Sequence, residues 1–157
     1  MHRPDLISCI QKTIQDTAIN PRLVQFEINE NVVADHSEET LKILEGLKAL
    51  GVKLAVDDFG TGFSSLQALK RLPLDTLIID RSYITGLSND SDRKAIIQTV
   101  LNLGDTLNLN VVAEGVETAE EAAFLSRLGC QYAQGYYFAR PMARPDASIL
   151  LGTFQTN

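Results

Sequence analysis

Apolar positions along the chain keep two rhythms, one helical and one strand-like, and they alternate. Leu6, Ile7, Ile10 and Ile14 recur at helical spacing and predict an opening helix ended by Asn20-Pro21. Leu23-Val24-Gln25-Phe26-Glu27-Ile28 reads as a strand. Ser37-Glu38-Glu39 starts a second helix with acids at its positive end, carrying Leu41, Leu44, Leu47 and Leu50 and closed by Gly51. Val52-Lys53-Leu54-Ala55-Val56 is a buried strand. Leu66, Leu69 and Leu72 mark a short helix stopped by Pro73, and Thr76-Leu77-Ile78-Ile79 is the next strand. A longer helix begins near Ser91, with Ile96, Ile97, Val100, Leu103 and Leu107 on one side. Asn110-Val111-Val112-Ala113 is a strand after it. Thr118 to Glu121 is a T-x-x-E capping box that opens a helix carrying Leu125 and Leu128 and ending at Gly129. The last strand falls within Gln131 to Phe138, and a short helix follows Pro145.

Strands alternating with helices define an α/β chain of five parallel βα units preceded by one helix. Two architectures fit that pattern: an open doubly wound sheet, or part of a (β/α)8 barrel. A complete barrel takes about 250 residues and eight units. The chain has 157 residues, enough for one domain and too few for that.

Composition narrows the function classes. With 45% hydrophobic and 22% charged residues, a packed core is expected rather than disorder. A net charge of −6 argues against DNA, RNA or an anionic membrane surface as partner. An anionic small molecule stays compatible if metal ions neutralise the site. No apolar run approaches the roughly 20 residues of a membrane helix, and Met1-His2-Arg3-Pro4-Asp5 has no apolar signal core. Cys9 and Cys130 make no disulfide framework, so a cytoplasmic, reducing setting is expected.

The candidate chemistry is acidic and regularly placed. Glu27 and Glu30 lie at the end of the first apolar run, Asp57-Asp58 follow the second, Asp80 the third and Glu114 to Glu117 the fourth, while Gln134 falls within the fifth. In parallel α/β folds the carboxyl ends of the strands form one face, where ligands gather. Any one acid after a strand reads most simply as a helix cap. Carboxylates from four strand ends together read as ligands for a hard cation such as Mg²⁺, Mn²⁺ or Ca²⁺. Asp58-Phe59-Gly60 does not indicate a protein kinase, because no H-R-D loop, G-x-G-x-x-G or V-A-I-K-type lysine accompanies it. No Walker pattern is present either. Proton abstraction as in enolase-like barrels needs a Lys or His base at these strand ends, and neither occurs.

Val56-Asp57-Asp58-Phe59-Gly60-Thr61-Gly62-Phe63-Ser64-Ser65-Leu66 resembles the D-D-F-G-T-G-x-S-S-L signature of the EAL-domain family. Four more segments agree in order. Phe26 to Glu30 resembles the E-x-T-E strand, Ile79-Asp80-Arg81-Ser82 the K-I-D-R-S segment, Val112 to Thr118 the V-A-E-G-V-E-T segment, and Gln134 to Pro141 the Q-G-Y-x-F-x-x-P segment. Members hydrolyse cyclic di-GMP with two divalent cations, usually Mg²⁺ or Mn²⁺, or are degenerate relatives that bind it or a protein. The resemblance implies a partial TIM-like barrel, with residues 1–157 as the C-terminal part of one EAL domain. It implies Glu27 and Asp57 as metal ligands, Asp57 bridging, and Asp58 serving the second metal. Glu114 then positions or activates the attacking water, and Glu30 steadies the loop after Asp58. Asp80, Glu117 and Gln134 support or line the substrate site.

The departures are as informative. The E-A-L tripeptide with its phosphate-gripping basic neighbour, and the N-L-S asparagine, are absent, and in the family they lie upstream of this stretch. Ile78 stands where the family has a lysine, and Asn29 replaces the usual Thr. Losing one preorganised electrostatic contact costs about 10²–10³ in rate, so no useful turnover is expected of this chain alone. The competing expectation is a non-enzymatic module that binds cyclic di-GMP or a regulatory protein. Self-association, or reliance on an upstream domain, is expected because five barrel strands leave two open edges. His2 and His36 have no ligand-like spacing, and Cys9 and Cys130 are expected to be structural. Strand-core packing is expected for at least one of Tyr136, Tyr137 and Phe138. Arg140 fits a phosphate contact and an ordinary surface role equally well.

Overall fold

The computed structural model describes residues 5–34, 37–60, 66–86 and 91–154. His2, His36 and the signature residues Thr61 to Ser65 lie outside them. Five strands form one sheet: β1 (Gln25–Asn29), β2 (Lys53–Phe59), β3 (Thr76–Ile79), β4 (Asn110–Ala113) and β5 (Tyr132–Ala133). Every pairing is parallel, and the strands stand side by side in chain order. Eight helices accompany them among the described residues: α1 (Leu6–Thr17), α2 (Glu30–Ala34), α3 (Glu38–Ala49), α4 (Leu66–Arg71), α5 (Arg81–Ile84), α6 (Ser91–Leu107), α7 (Ala119–Arg127) and α8 (Arg144–Phe154).

The order of the strands decides between the two architectures. A doubly wound sheet reverses its strand order at a switch point and carries helices on both faces. Here the order never reverses. Leu54 and Val56 of β2, Leu77 and Ile79 of β3, and Val111 and Ala113 of β4 join one apolar cluster with Leu44, Leu47, Ile84, Ile97, Val100 and Leu125 of the helices. Alternate strand residues must then face the other way. Ile78 and Ala55 are buried yet stand outside that cluster, and the Thr76 hydroxyl bonds the Gln25 side chain, two strands away. The sheet is therefore an arc of a TIM-like barrel, with helices outside and an inner face of Glu27, Ala55, Asp57, Thr76, Ile78 and Val112.

Local signals explain most element ends. Ser37 accepts a hydrogen bond from the Thr40 amide at 3.1 Å to cap α3, and Gly51 follows it at φ +87°. Thr118 and Glu121 make the reciprocal capping box of α7. At the amino end of the sheet, Asp75 pairs with Lys48 at 2.7 Å and accepts from the Leu54 amide. Its own carbonyl accepts from Asn110, so Asp75 knits β2 to β4.

Several expectations need correction. α1 ends at Thr17, before Asn20-Pro21, because Ala18 adopts the left-handed conformation; Asn20 instead caps a 3-10 turn over Pro21–Leu23. Leu23 is exposed and outside β1. β5 lies within the expected Gln131 to Phe138 and is only two residues long. The chain leaves the sheet at Gln134, since Gly135 passes so near Val116 that a Cβ would lie 2.1 Å from the Val116 carbonyl oxygen. Tyr136, Tyr137 and Phe138 consequently follow the sheet instead of packing in it, and are 51%, 46% and 52% exposed. Cys9 is exposed on α1 and packs against nothing central; Cys130 alone is half-buried against the core.

Candidate functional site

β2 places two successive carboxylates on one side of the sheet, which a regular strand cannot do. Its pairing with β3 shifts between Val56 and Phe59, and Asp58 has φ +56°. That irregularity is a bulge, a device that re-aims side chains at a strand end. Asp57 Oδ1 accepts from the Asp58 amide at 2.9 Å, and Asn29 Nδ2 of β1 donates to Asp58 Oδ2 at 3.3 Å. Asn29 Oδ1 in turn accepts from the Asn31 amide and side chain. The Asn that departs from the family pattern thus bridges β1 to the β2 exit.

The acids stand close enough for their charges to act on one another. The neighbouring Asp57 carboxylate, then burial, then Asp80 and Glu30 raise the Asp58 carboxyl above its ordinary value. Burial, then Asp57, Glu27 and Asp58, raise Glu114, while a hydrogen bond from Gln134 opposes the shift. Asp80 is lowered instead, mainly by the Ser82 hydroxyl and amide, with the Asp58 carboxyl as a further donor. Asp80 caps α5 through that amide at 2.9 Å. Glu27, Asp57, Asp58, Asp80, Glu114 and Gln134 therefore share one electrostatic neighbourhood at the carboxyl ends of the strands. Glu30 opens α2 and is 5% exposed, close enough for its charge to act on Asp58.

Glu117 is drawn aside. It pairs with Arg81 at 2.8 Å, and both side chains are well exposed. Its amide donates to Glu121, as do the amides of Thr118 and Gly86. Burial raises the Glu121 carboxyl, but those three amides outweigh it and leave the group lowered. This buried glutamate, read from the sequence as a cap alone, also ties the segment after α5 to the loop after β4. No sequence signal marks the Gly86 contact.

Ile78 lies on the same inner face, 2% exposed, two residues before Asp80 and opposite Val112 in register. A cavity of about 620 Å³ opens beside Glu114 and Gln134, between Tyr136, Arg140 and Leu151. Arg140 stacks on the Tyr136 ring at 4.9 Å from its centroid, so that ring is its partner here.

The donor chemistry, hard carboxylate oxygens crowded enough to raise the proton affinity of Asp58 and Glu114, fits Mg²⁺ or Mn²⁺. Among the described residues no three His, Cys, Asp or Glu side chains are gathered tightly enough to hold one ion. No described helix is long and apolar enough to cross a membrane.

Comparison with known proteins adds four findings. The family profile described as EAL domain matches residues 1–141. The bifunctional diguanylate cyclase/cyclic di-GMP phosphodiesterase MucR of Pseudomonas aeruginosa is 44% identical over 137 residues, 87% of this chain and 20% of that protein. The crystal structure of the EAL domain of Mycobacterium smegmatis DcpA superposes with a TM-score of 0.90 at 37% identity, covering 98% of this chain and 69% of that one. Klebsiella pneumoniae BlrP1, solved with manganese and cyclic di-GMP, gives 0.82 at 34%, covering 89% of this chain and 36% of that one. The chain spans about a fifth of the length of curated relatives such as MucR.

Proposed function

The chain belongs to the EAL domain family, and on that premise we propose that residues 1–157 form the C-terminal, carboxylate-bearing part of a cyclic-di-GMP phosphodiesterase-like domain that has no turnover by itself. The observation that carries this reading is the placing of Glu27 and Asp57 on the inner face, close enough for Asp57 to act on Asp58 and for Glu27, Asp57 and Asp58 to act on Glu114. Glu27, Asp57 and Asp58 are the proposed cation ligands. A bound Mg²⁺ or Mn²⁺ supplies Lewis acidity toward a phosphoryl oxygen and lowers the pKa of water. Glu114, held by Gln134 and with its proton affinity raised, is suited to accept a proton from the attacking water. Asp80 lies within hydrogen-bonding reach of Asp58 and helps set its direction.

Absence of turnover follows from Ile78 and from ligands this stretch does not contain. An isoleucine on the inner face can neither donate to a phosphate nor balance its charge. Magnesium- or manganese-dependent hydrolysis of cyclic di-GMP by the purified chain is the test. No turnover is expected, and robust turnover abolished by Asp57→Asn overturns the reading.

The same Ile78 favours a second reading, a non-enzymatic module for cyclic di-GMP or a regulatory protein in the bacterial cytoplasm. Calorimetry with cyclic di-GMP, with and without Mn²⁺, separates the two. Saturable binding without turnover supports a receptor; no binding points to protein interaction. β1 and β5 are the outer strands of the described sheet, and their unshared backbone groups support self-association or pairing with an upstream segment.

A further inference from the structure

Just past the bulge, Gly60 is exposed with φ +99°. Its carbonyl accepts a hydrogen bond from the Tyr83 hydroxyl. A Cβ at Gly60 would stand 3.4 Å from Cε2 of that ring, so phenol and backbone are also in contact. Tyr83 lies on α5, the helix that Asp80 caps, and its ring is partly buried against the apolar core. One side chain thus joins the exit of β2, two residues beyond Asp58, to the helix that begins beside Asp80.

The exit needs such a hold. Asp58 and Gly60 both have positive φ, and the ladder to β3 is broken between Val56 and Phe59. Backbone of that kind is restrained only by what surrounds it. The core supplies one anchor through Phe59, which is buried. Asn29 holds the Asp58 side chain, and the Tyr83 hydroxyl holds the backbone two residues further on.

We infer that Tyr83 is a positioning residue: its hydroxyl fixes the Gly60 carbonyl and through it the direction in which Asp57 and Asp58 project. The inference rests on the reading of those two carboxylates as cation ligands. If the ring served only to fill the core, phenylalanine would serve equally well.

Tyr83→Phe keeps the ring and removes the bond. Three measurements on the full chain decide: Mn²⁺ affinity by calorimetry, amide hydrogen exchange over residues 57–60, and the thermal midpoint. The variant is expected to bind Mn²⁺ about three- to tenfold more weakly, with exchange faster at residues 57–60 and a midpoint close to that of the parent. Unchanged affinity and exchange overturn the inference. So does a fall in midpoint with exchange faster throughout the chain, which marks a merely structural hydroxyl. Should the parent bind no Mn²⁺, the cation reading fails on its own. Exchange alone then decides on Tyr83: local acceleration supports the anchor, and none overturns it.

Discussion

Arg81 and Glu117 form an ion pair at 2.8 Å whose arginine stem lies directly over Gly115. Arg81 opens α5 and Glu117 precedes α7, so the pair bridges the segments after β3 and β4. Both side chains are about half exposed, and such pairs contribute little, about 0–1 kcal/mol. The close approach is the costlier feature. A Cβ at Gly115, where φ is +76°, would lie 2.4 Å from Arg81 Cγ and 2.7 Å from its Cβ.

Gly115→Ala is therefore expected to lose about 1–3 kcal/mol, whereas Arg81→Met changes stability by less than about 0.5 kcal/mol. Urea denaturation of both variants checks this. Equal losses would show that the pair, not the approach, holds the two loops.

Acid crowding gives stability a direction in pH. Asp58 has a raised folded-state pKa, so its contribution is fully present below the unfolded carboxylate value of about 3.9 and is lost as pH rises through the folded value. Asn tolerates positive φ at least as well as Asp, so Asp58→Asn carries no backbone penalty. The variant should gain stability over the parent as pH rises from 4 to 7, and thermal melts across that range measure it. Asp80 and Glu121 are lowered groups with the opposite sign, losing their contribution as pH falls through their folded values. Glu121 does not feel Asp58 and cancels in the difference, whereas Asp80 and Glu114 do, so the difference curve reports Asp58 together with its effect on those two neighbours. A gap that narrows toward neutral pH contradicts the crowding.

Ile78 offers a gain-of-function test. A lysine there places an ammonium two residues before Asp80, on the face that carries Glu27 and Asp57. Hydrogen bonds to charged groups are worth more than neutral ones, so Ile78→Lys is expected to tighten cyclic-di-GMP binding roughly tenfold. Ile78→Met is expected to leave it unchanged. Calorimetry in Mn²⁺ compares them, and equal affinities would remove Ile78 from the argument for the proposed lack of turnover.

How far the sequence reaches varies with the kind of signal. β3 and β4 fall where their apolar runs stand, and the α7 capping box is read correctly from Thr118 and Glu121. The acids were legible as a set because each follows an apolar run. Helices α2 and α5 were missed, since five and four residues are too short to show a period. The bounds of β5 within Gln131 to Phe138 were not legible, because the contact at its end, Gly135 against Val116, joins residues far apart in sequence. Barrel arc and doubly wound sheet share the same local pattern, so only the resemblance to the EAL domains, and then the strand order, could separate them. The bulge left one trace in the sequence: the apolar positions run Leu54, Val56 and then Phe59, out of step by one.

That single slipped step governs what substitution can achieve. Leu54 and Val56 face the helices, and strict alternation would send Asp58 after them and turn Phe59 inward; instead Phe59 joins the helix-side core. Two adjacent acids are presented together only because the strand is one residue longer than its partner requires. Exchanging side chains can strip their charge but cannot separate their aim. Only an insertion or a deletion could do so, and removing one residue would restore an even ladder while leaving a single carboxylate at the strand's end.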